Sequence, residues 1–221
     1  MVLNTVGFIP DGNRRYAKKS SVSLMEAYSK GFENAENVLD WCEETGVKNV
    51  ILWGFSTENF YRSEEEKELL FSLFPEYLKR MHDSEKLVQR KARVHFAGVP
   101  DFLEHENIRG WVKKIEAKTS GFDSGKNIYI CLGYGGRKEL FDVFRRNSFG
   151  SEEEVLKRLW VPVEPDLIIR TGGYQRLSGF MLWQSAYSEL YFTKKLWPEF
   201  GKNDFEKAVE FYNSSKRNFG V

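Results

Sequence analysis

The sequence predicts an α/β fold, a mostly parallel six-stranded sheet with helices on both faces, in one domain spanning residues 1–221. Three observations predict it. Short apolar runs of strand length alternate with longer segments whose apolar residues recur at helical spacing. No repeat, low-complexity segment or evident linker interrupts that alternation. Several strand runs end in glycine- or arginine-rich polar stretches, as expected where parallel strands deliver their carboxyl ends to one edge of a sheet.

The first strand is the run from Val2 to Ile9, interrupted by Asn4, Thr5 and Gly7 and stopped by Pro10. A turn and a solvated basic stretch, Asp11 to Lys19, follow. Leu24, Tyr28, Gly31, Ala35, Val38, Leu39 and Cys42 then keep helical spacing up to a stop at Gly46. Val50 to Phe55 is the second strand and exits into Ser56-Thr57-Glu58-Asn59-Phe60-Tyr61-Arg62. From Glu64 to Gln89 the spacing is helical again, with Pro75 predicting a kink or a break.

Val94 to Gly98 is a short strand, with His95 most simply a satisfied strand residue, and Ile108, Trp111, Val112 and Ile115 mark a helix ending before Ser120-Gly121. Asn127 to Leu132 is the fourth strand, closed by Gly133 to Arg137, with a helix from Lys138 to Arg146. Ser151 caps a helix with acids in its first turn, running to about Trp160. Pro165 to Arg170 and Ser188 to Phe192 are the last strands, and a final helix spans about Asn203 to Lys216.

Composition bounds the function. With 33 basic and 32 acidic residues the formal net charge is +1, so no global field draws the chain to nucleic acid or to a membrane surface. Two cysteines, Cys42 and Cys131, are too few for a disulfide framework, and three histidines do not cluster at zinc-ligand spacing. There is no basic region followed by a long apolar run and no apolar segment of membrane-spanning length, so the expectation is a cytoplasmic protein.

Chemistry concentrates at the strand exits. Gly12 lets the backbone turn close to a ligand, and Arg14 and Arg15 offer forked donors to phosphate oxygens. A carboxylate at Asp11 would repel those phosphates unless a divalent cation lies between, and Mg²⁺ is commonly held by one or two carboxylates plus substrate phosphates. The plainer alternative is a Pro-Asp-Gly turn ahead of solvated cations. Arg170 and Arg176 flank a glycine pair, with Ser178 adding a hydroxyl, which points to a second phosphate site over an ordinary loop.

These blocks resemble the cis-prenyltransferase family of undecaprenyl and dehydrodolichyl diphosphate synthases. The matching segments are Asp11 to Ala17, Phe55 to Phe60, Tyr134 to Arg137, Ile169 to Gly173, Arg176 to Ser178, Phe180 to Gln184, Tyr187, Glu189 and Leu196 to Pro198. The resemblance implies that the chain condenses an allylic diphosphate with isopentenyl diphosphate, with release of diphosphate and dependence on Mg²⁺, and that an apolar tunnel holds the growing chain. By the same resemblance Asp11 and Glu189 hold the metal, with Asp11 also assisting departure of the diphosphate. Gly12, Asn13, Arg14, Arg15 and Tyr16 bind the allylic diphosphate, and Arg170, Arg176 and Ser178 the second one. Ser56 and Asn59 lie near the proton transfer, and Tyr28, Thr57, Glu58, Phe60 and Arg62 belong to the same substrate-binding region. The family implies a homodimer or heterodimer, and membrane contact at most peripheral, through the lipid product.

Four positions depart from the family pattern. Leu24 and Tyr28 stand where an arginine and a histidine are usual, Tyr174 where a glutamate follows the glycine pair, and Asn218 where an arginine precedes Phe219-Gly220. The Pro-Asp-Gly opening together with Leu24 and Tyr28 resembles the lavandulyl-type branch, which couples prenyl units irregularly. Irregular coupling of dimethylallyl-type diphosphates is therefore one alternative. A non-catalytic partner subunit is a second, and a diphosphate-binding module without chemistry a third.

Overall fold

The computed structural model describes residues 2–146 and 148–215, so the expected helix end at Lys216 and the positions Asn218, Phe219 and Gly220 lie outside the described residues. Strands β1 (Thr5–Ile9), β2 (Asn49–Ser56), β3 (Arg93–Ala97), β4 (Asn127–Tyr134), β5 (Leu167–Arg170) and β6 (Glu189–Phe192) form one sheet in the order β3-β4-β2-β1-β5-β6. Every neighbouring pair is parallel, as the alternation of strands and helices requires. β1 is central and all five of its residues are buried.

The helices are α1 (Asn13–Ser20), α2 (Leu24–Glu44), α3 (Glu64–Asp83), α4 (Glu85–Gln89), α5 (Pro100–Leu103), α6 (Glu106–Thr119), α7 (Gly136–Arg146), α8 (Glu152–Arg158) and α9 (Lys202–Ser214). Single 3-10 turns occupy Thr57–Tyr61 and Trp197–Glu199. The period of two in β2 divides its side chains between two cores. Val50 and Leu52 join the larger one, with Leu39 of α2, Leu73 of α3 and Phe205 of α9, while Ile51 and Trp53 join a smaller one with Val161, Phe180 and Met181.

The structure differs from the expectations at four places. β1 starts at Thr5 instead of Val2, because the Asn4 and Thr5 amides donate to the Asp166 carboxylate, each at 2.8 Å, and not to a neighbouring strand. The basic stretch is a helix: Gly12 takes the left-handed conformation at φ 114° and its carbonyl accepts the Tyr16 amide at 2.8 Å, which starts α1. Lys18 and Lys19 fall in its last turn, where cations suit the helix dipole. Pro75 does not break α3. The break comes at Ser84, whose hydroxyl accepts the Lys86 amide at 3.2 Å and begins α4. A short α5 also precedes α6, with Pro100 in its first turn.

Candidate active site

The strand register sets the site. Ile9 pairs with Arg170 across β1 and β5, so the segments leaving both strands emerge side by side at the carboxyl edge. Thr171 joins them: its hydroxyl donates to the Asp11 carbonyl at 2.8 Å and accepts the Asp11 amide at 2.9 Å. The Gly172 and Gly173 amides donate to the carbonyls of Lys195 and Thr193, and the Trp197 amide donates to the Asp11 carbonyl. Three chain segments are thereby fixed around one carboxylate.

That carboxylate is shared by two guanidiniums. Asp11 Oδ1 accepts from Arg15 at 2.9 Å and Oδ2 from Arg170 at 2.9 Å. Arg15 also donates to the Gly172 carbonyl, and a Cβ at Gly172 would lie 2.4 Å from its Nη2, so a side chain there would displace the arginine. The Arg170 side chain is only 6% exposed; it donates to the Arg176 carbonyl and to the Ser178 hydroxyl at 2.8 Å, while its Nε has no partner among the described residues. At the start of α1 no side chain caps the helix, and the first amides, Asn13 to Arg15, have no intrahelical acceptor. Those amides and the helix dipole suit an anion beside Asp11.

Asn13 lies inside this edge, its Oδ1 buried without a hydrogen-bond partner among the described residues and seated against Gly31 of α2. A second polar group sits on the other side. The Tyr28 hydroxyl donates to Glu66 Oε1 at 2.5 Å and accepts from Arg62 at 2.8 Å, and Arg62 donates to the same Glu66 oxygen at 2.8 Å. Arg14 reaches Glu66 Oε2 at 3.7 Å. Burial, aided by the Glu66 carboxylate, pushes the Tyr28 phenol above its ordinary range, so it remains a proton donor.

Between the two groups opens a cavity of about 380 Å³. Asp11, Asn13, Ser56, Asn59, Arg62, Arg170 and Ser178 stand on its polar side; Phe32, Leu39, Leu52, Leu70, Phe74 and Leu78 supply apolar walls between α2, α3 and the sheet. It reaches Arg90, which is ion-paired with Asp40 at the far end.

Not every expected residue faces this space. Gly12 packs on Leu196, and the Tyr16 hydroxyl accepts from Lys30 at 2.8 Å, which lowers the phenol's pKa. Glu58 is exposed, Thr57 lies against Gly135, and Phe60 packs on Phe55 at 5.2 Å between ring centres. The Asn59 carboxamide accepts the Ser56 amide at 3.0 Å and so shapes the 3-10 turn. Glu189 pairs with Leu167, three residues before Arg170, so it lies about 10 Å back from the strand end at ~3.3 Å per residue, and this chain does not bring it to Asp11. Sequence reasoning missed Glu66, which reads as one of three acids opening α3, and Thr171, whose hydroxyl looks like an ordinary turn residue.

The sequence model of the family described as "Putative undecaprenyl diphosphate synthase" matches residues 9–220. The chain belongs to the cis-prenyltransferase family. It is 40% identical to an isoprenyl transferase of Thermus thermophilus, over 97% of this chain and 88% of the relative. A tritrans,polycis-undecaprenyl-diphosphate synthase (geranylgeranyl-diphosphate specific) of Pyrobaculum aerophilum is also 40% identical, over 97% of this chain and 94% of the relative. Among solved structures, lavandulyl diphosphate synthase from Lavandula x intermedia, in complex with dimethylallyl diphosphate, superimposes with a TM-score of 0.89 at 28% identity, covering 100% of this chain and 99% of that one. A probable undecaprenyl diphosphate synthase from Campylobacter jejuni gives 0.81 at 27% identity, with 99% of each chain covered. This cis-prenyltransferase is therefore a transferase of prenyl groups with the six-stranded parallel sheet of its family. No helix among the described residues is long and apolar enough to cross a membrane.

Proposed function

We propose that the chain condenses an allylic diphosphate with isopentenyl diphosphate and releases diphosphate. The observation that carries this reading is a single carboxylate, Asp11, shared by Arg15 and Arg170 at the mouth of an apolar cavity. Two anion sites thus meet at one point, with room beside them for hydrocarbon.

In this reading the allylic diphosphate lies at the α1 N-terminus against Arg14 and Arg15, with its chain in the cavity. The second diphosphate lies on Arg170, Arg176 and Ser178. The allylic carbon–oxygen bond breaks, diphosphate leaves with the electron pair, and the alkene of the second substrate attacks the allylic carbon. The new cation loses a proton on the side lined by Ser56 and Asn59, with phosphate oxygen as acceptor. Arginines and helix amides stabilise the leaving charge in a site sheltered from water. Asp11, an oxygen donor at the anion site, fits Mg²⁺ shared with phosphates, and when bound the ion would neutralise departing diphosphate charge.

Incubating the purified chain with Mg²⁺, isopentenyl diphosphate and labelled allylic diphosphates of several lengths should give longer prenyl diphosphates by mass spectrometry. No Mg²⁺-dependent product from any mixture would refute the reading. A second reading, irregular coupling, is favoured by the likeness to the lavandulyl synthase. It predicts a ten-carbon product from dimethylallyl diphosphate alone.

The reading places the enzyme in the cytoplasm as a dimer. Phe141 and Phe144 of α7 are 60% and 46% exposed, an apolar face suited to a second copy or a related chain. Sedimentation should report twice the chain's 25.9 kDa for a homodimer.

A further inference from the structure

The second anion site contains a ring where its family usually has a carboxylate. Tyr174 follows the Gly172-Gly173 turn and is 43% exposed. The guanidinium of Arg176 lies over its ring at 4.2 Å from the centre, that of Arg15 at 4.7 Å and that of Arg170 at 5.8 Å. All three lie within the range at which a cation is attracted by an aromatic face. Arg15 and Arg170 have Asp11 as a counter-charge, whereas Arg176 makes no ion pair among the described residues.

We infer that Tyr174 is a positioning residue of the second diphosphate site: its ring gathers Arg15, Arg170 and Arg176 without neutralising them. A carboxylate at the same place would pair with one of these arginines and compete with an incoming phosphate. A neutral ring orders the cations and leaves their charge for the ligand. The exposed Arg176 gains most, since the ring replaces the ion pair that would otherwise fix its long side chain. This inference rests on the assignment of Arg170 and Arg176 to a diphosphate.

Inorganic diphosphate is the direct probe, titrated calorimetrically into the full chain without metal and then with Mg²⁺. Wild type should bind with an affinity that falls as salt rises. Tyr174→Phe should bind within about twofold of wild type, and Tyr174→Ala about five- to tenfold more weakly, the loss of more than one cation–ring contact. Tyr174→Glu should bind more weakly still and with a shallower salt dependence. In turnover, Tyr174→Ala should raise KM for isopentenyl diphosphate more than it lowers kcat, with Phe restoring it, and melting temperatures check that each variant is folded. Unchanged affinity and KM in Tyr174→Ala, or Tyr174→Glu binding as tightly as wild type, would overturn the positioning role while the diphosphate site stands. Failure of wild type to bind diphosphate under any condition would overturn the site assignment itself, and the positioning role with it.

Discussion

Replacing Gly31 by alanine should separate stability from activity. A Cβ there would lie 2.5 Å from Asn13 Oδ1 and 3.1 Å from Trp197 Cδ1. Trp197 cannot easily yield, because its indole N–H donates to the Gly31 carbonyl at 2.7 Å and its own carbonyl accepts from Asn34 at 2.8 Å. Asn13 is the end of a flexible side chain with no hydrogen bond to its Oδ1 among the described residues, so it moves. Crowding costs about 1–3 kcal/mol in general, and the mobile partner puts this case at the low end. Alanine in a helix interior returns about 1 kcal/mol relative to glycine. The net change is about 0–1 kcal/mol, a melting shift of about 0–4 °C for a chain of this size. Turnover should nevertheless fall by about 10²-fold, since Asn13 opens the helix that holds the allylic diphosphate and small misplacements there are costly. Thermal melting and steady-state kinetics on the same preparation measure both. Turnover within threefold of wild type would show that the seat of Asn13 on Gly31 does not matter to the chemistry.

Asp11→Asn should lower turnover by about 10²–10³-fold. Because Asn keeps an acceptor for Arg170, and Arg170 keeps Ser178, the melting temperature should drop by only about 3–6 °C, from a loss of about 1–2 kcal/mol. Tyr28→Phe removes the hydroxyl shared by Glu66 and Arg62 and should cost about 1–3 kcal/mol in urea denaturation, with Tyr28→Ala costing more. Glu139 supplies a pH signature. Its buried carboxyl accepts from the Tyr134 hydroxyl, Gln184 and the Val161 amide, and burial raises its pKa above the ordinary 4.5. The folded chain therefore holds this proton more tightly than the unfolded one. The stability it contributes is complete below about pH 4.5, its unfolded value, and is lost as pH rises through the raised folded value. The difference in unfolding free energy between wild type and Glu139→Gln should change with pH in that window and be flat well above it. A flat difference throughout would show that the carboxyl titrates normally.

The sheet was legible because its strands are short apolar runs with punctuation, and the parallel arrangement followed from the helices between them. The α1 helix was not legible. Asn13 to Ser20 has one fully buried residue, Ala17, so its sequence lacks the apolar period that marks a helix, and the Gly12 turn that starts it reads equally as a loop. Pro75 misled for the opposite reason: neighbours such as Leu73, Phe74 and Leu78 are buried, and their packing holds α3 continuous across the lost backbone hydrogen bond. At the site, Asp11, Arg15, Arg170 and Ser178 could be named in advance because each closes a strand exit. Glu66 could not, since its burial depends on Tyr28 and Arg62 arriving from other elements. Tyr174 was visible only as a departure from the family pattern; its three arginines come from two strand exits that are far apart in sequence.

The charge balance of the edge bears on the metal. Arg14, Arg15, Arg62, Arg170 and Arg176 face two carboxylates, Asp11 and Glu66, and Tyr174 adds none. Two diphosphate groups bring more negative charge than this excess of guanidiniums cancels. A divalent cation fits the remainder. Among the described residues no three acidic, histidine or cysteine side chains converge, so a cage built from protein alone is not how such an ion would be held here. One carboxylate with phosphate oxygens is a sufficient donor set for Mg²⁺. In the proposed reading the ion therefore arrives with the substrate, and Asp11 exchanges part of its contact with Arg15, the more exposed of its two partners at 42% against 6%, for the metal. Arg170 is the fixed partner, since its guanidinium is also tied to Arg176 and Ser178. Arg15 is then released toward the allylic diphosphate at the moment that group needs a donor.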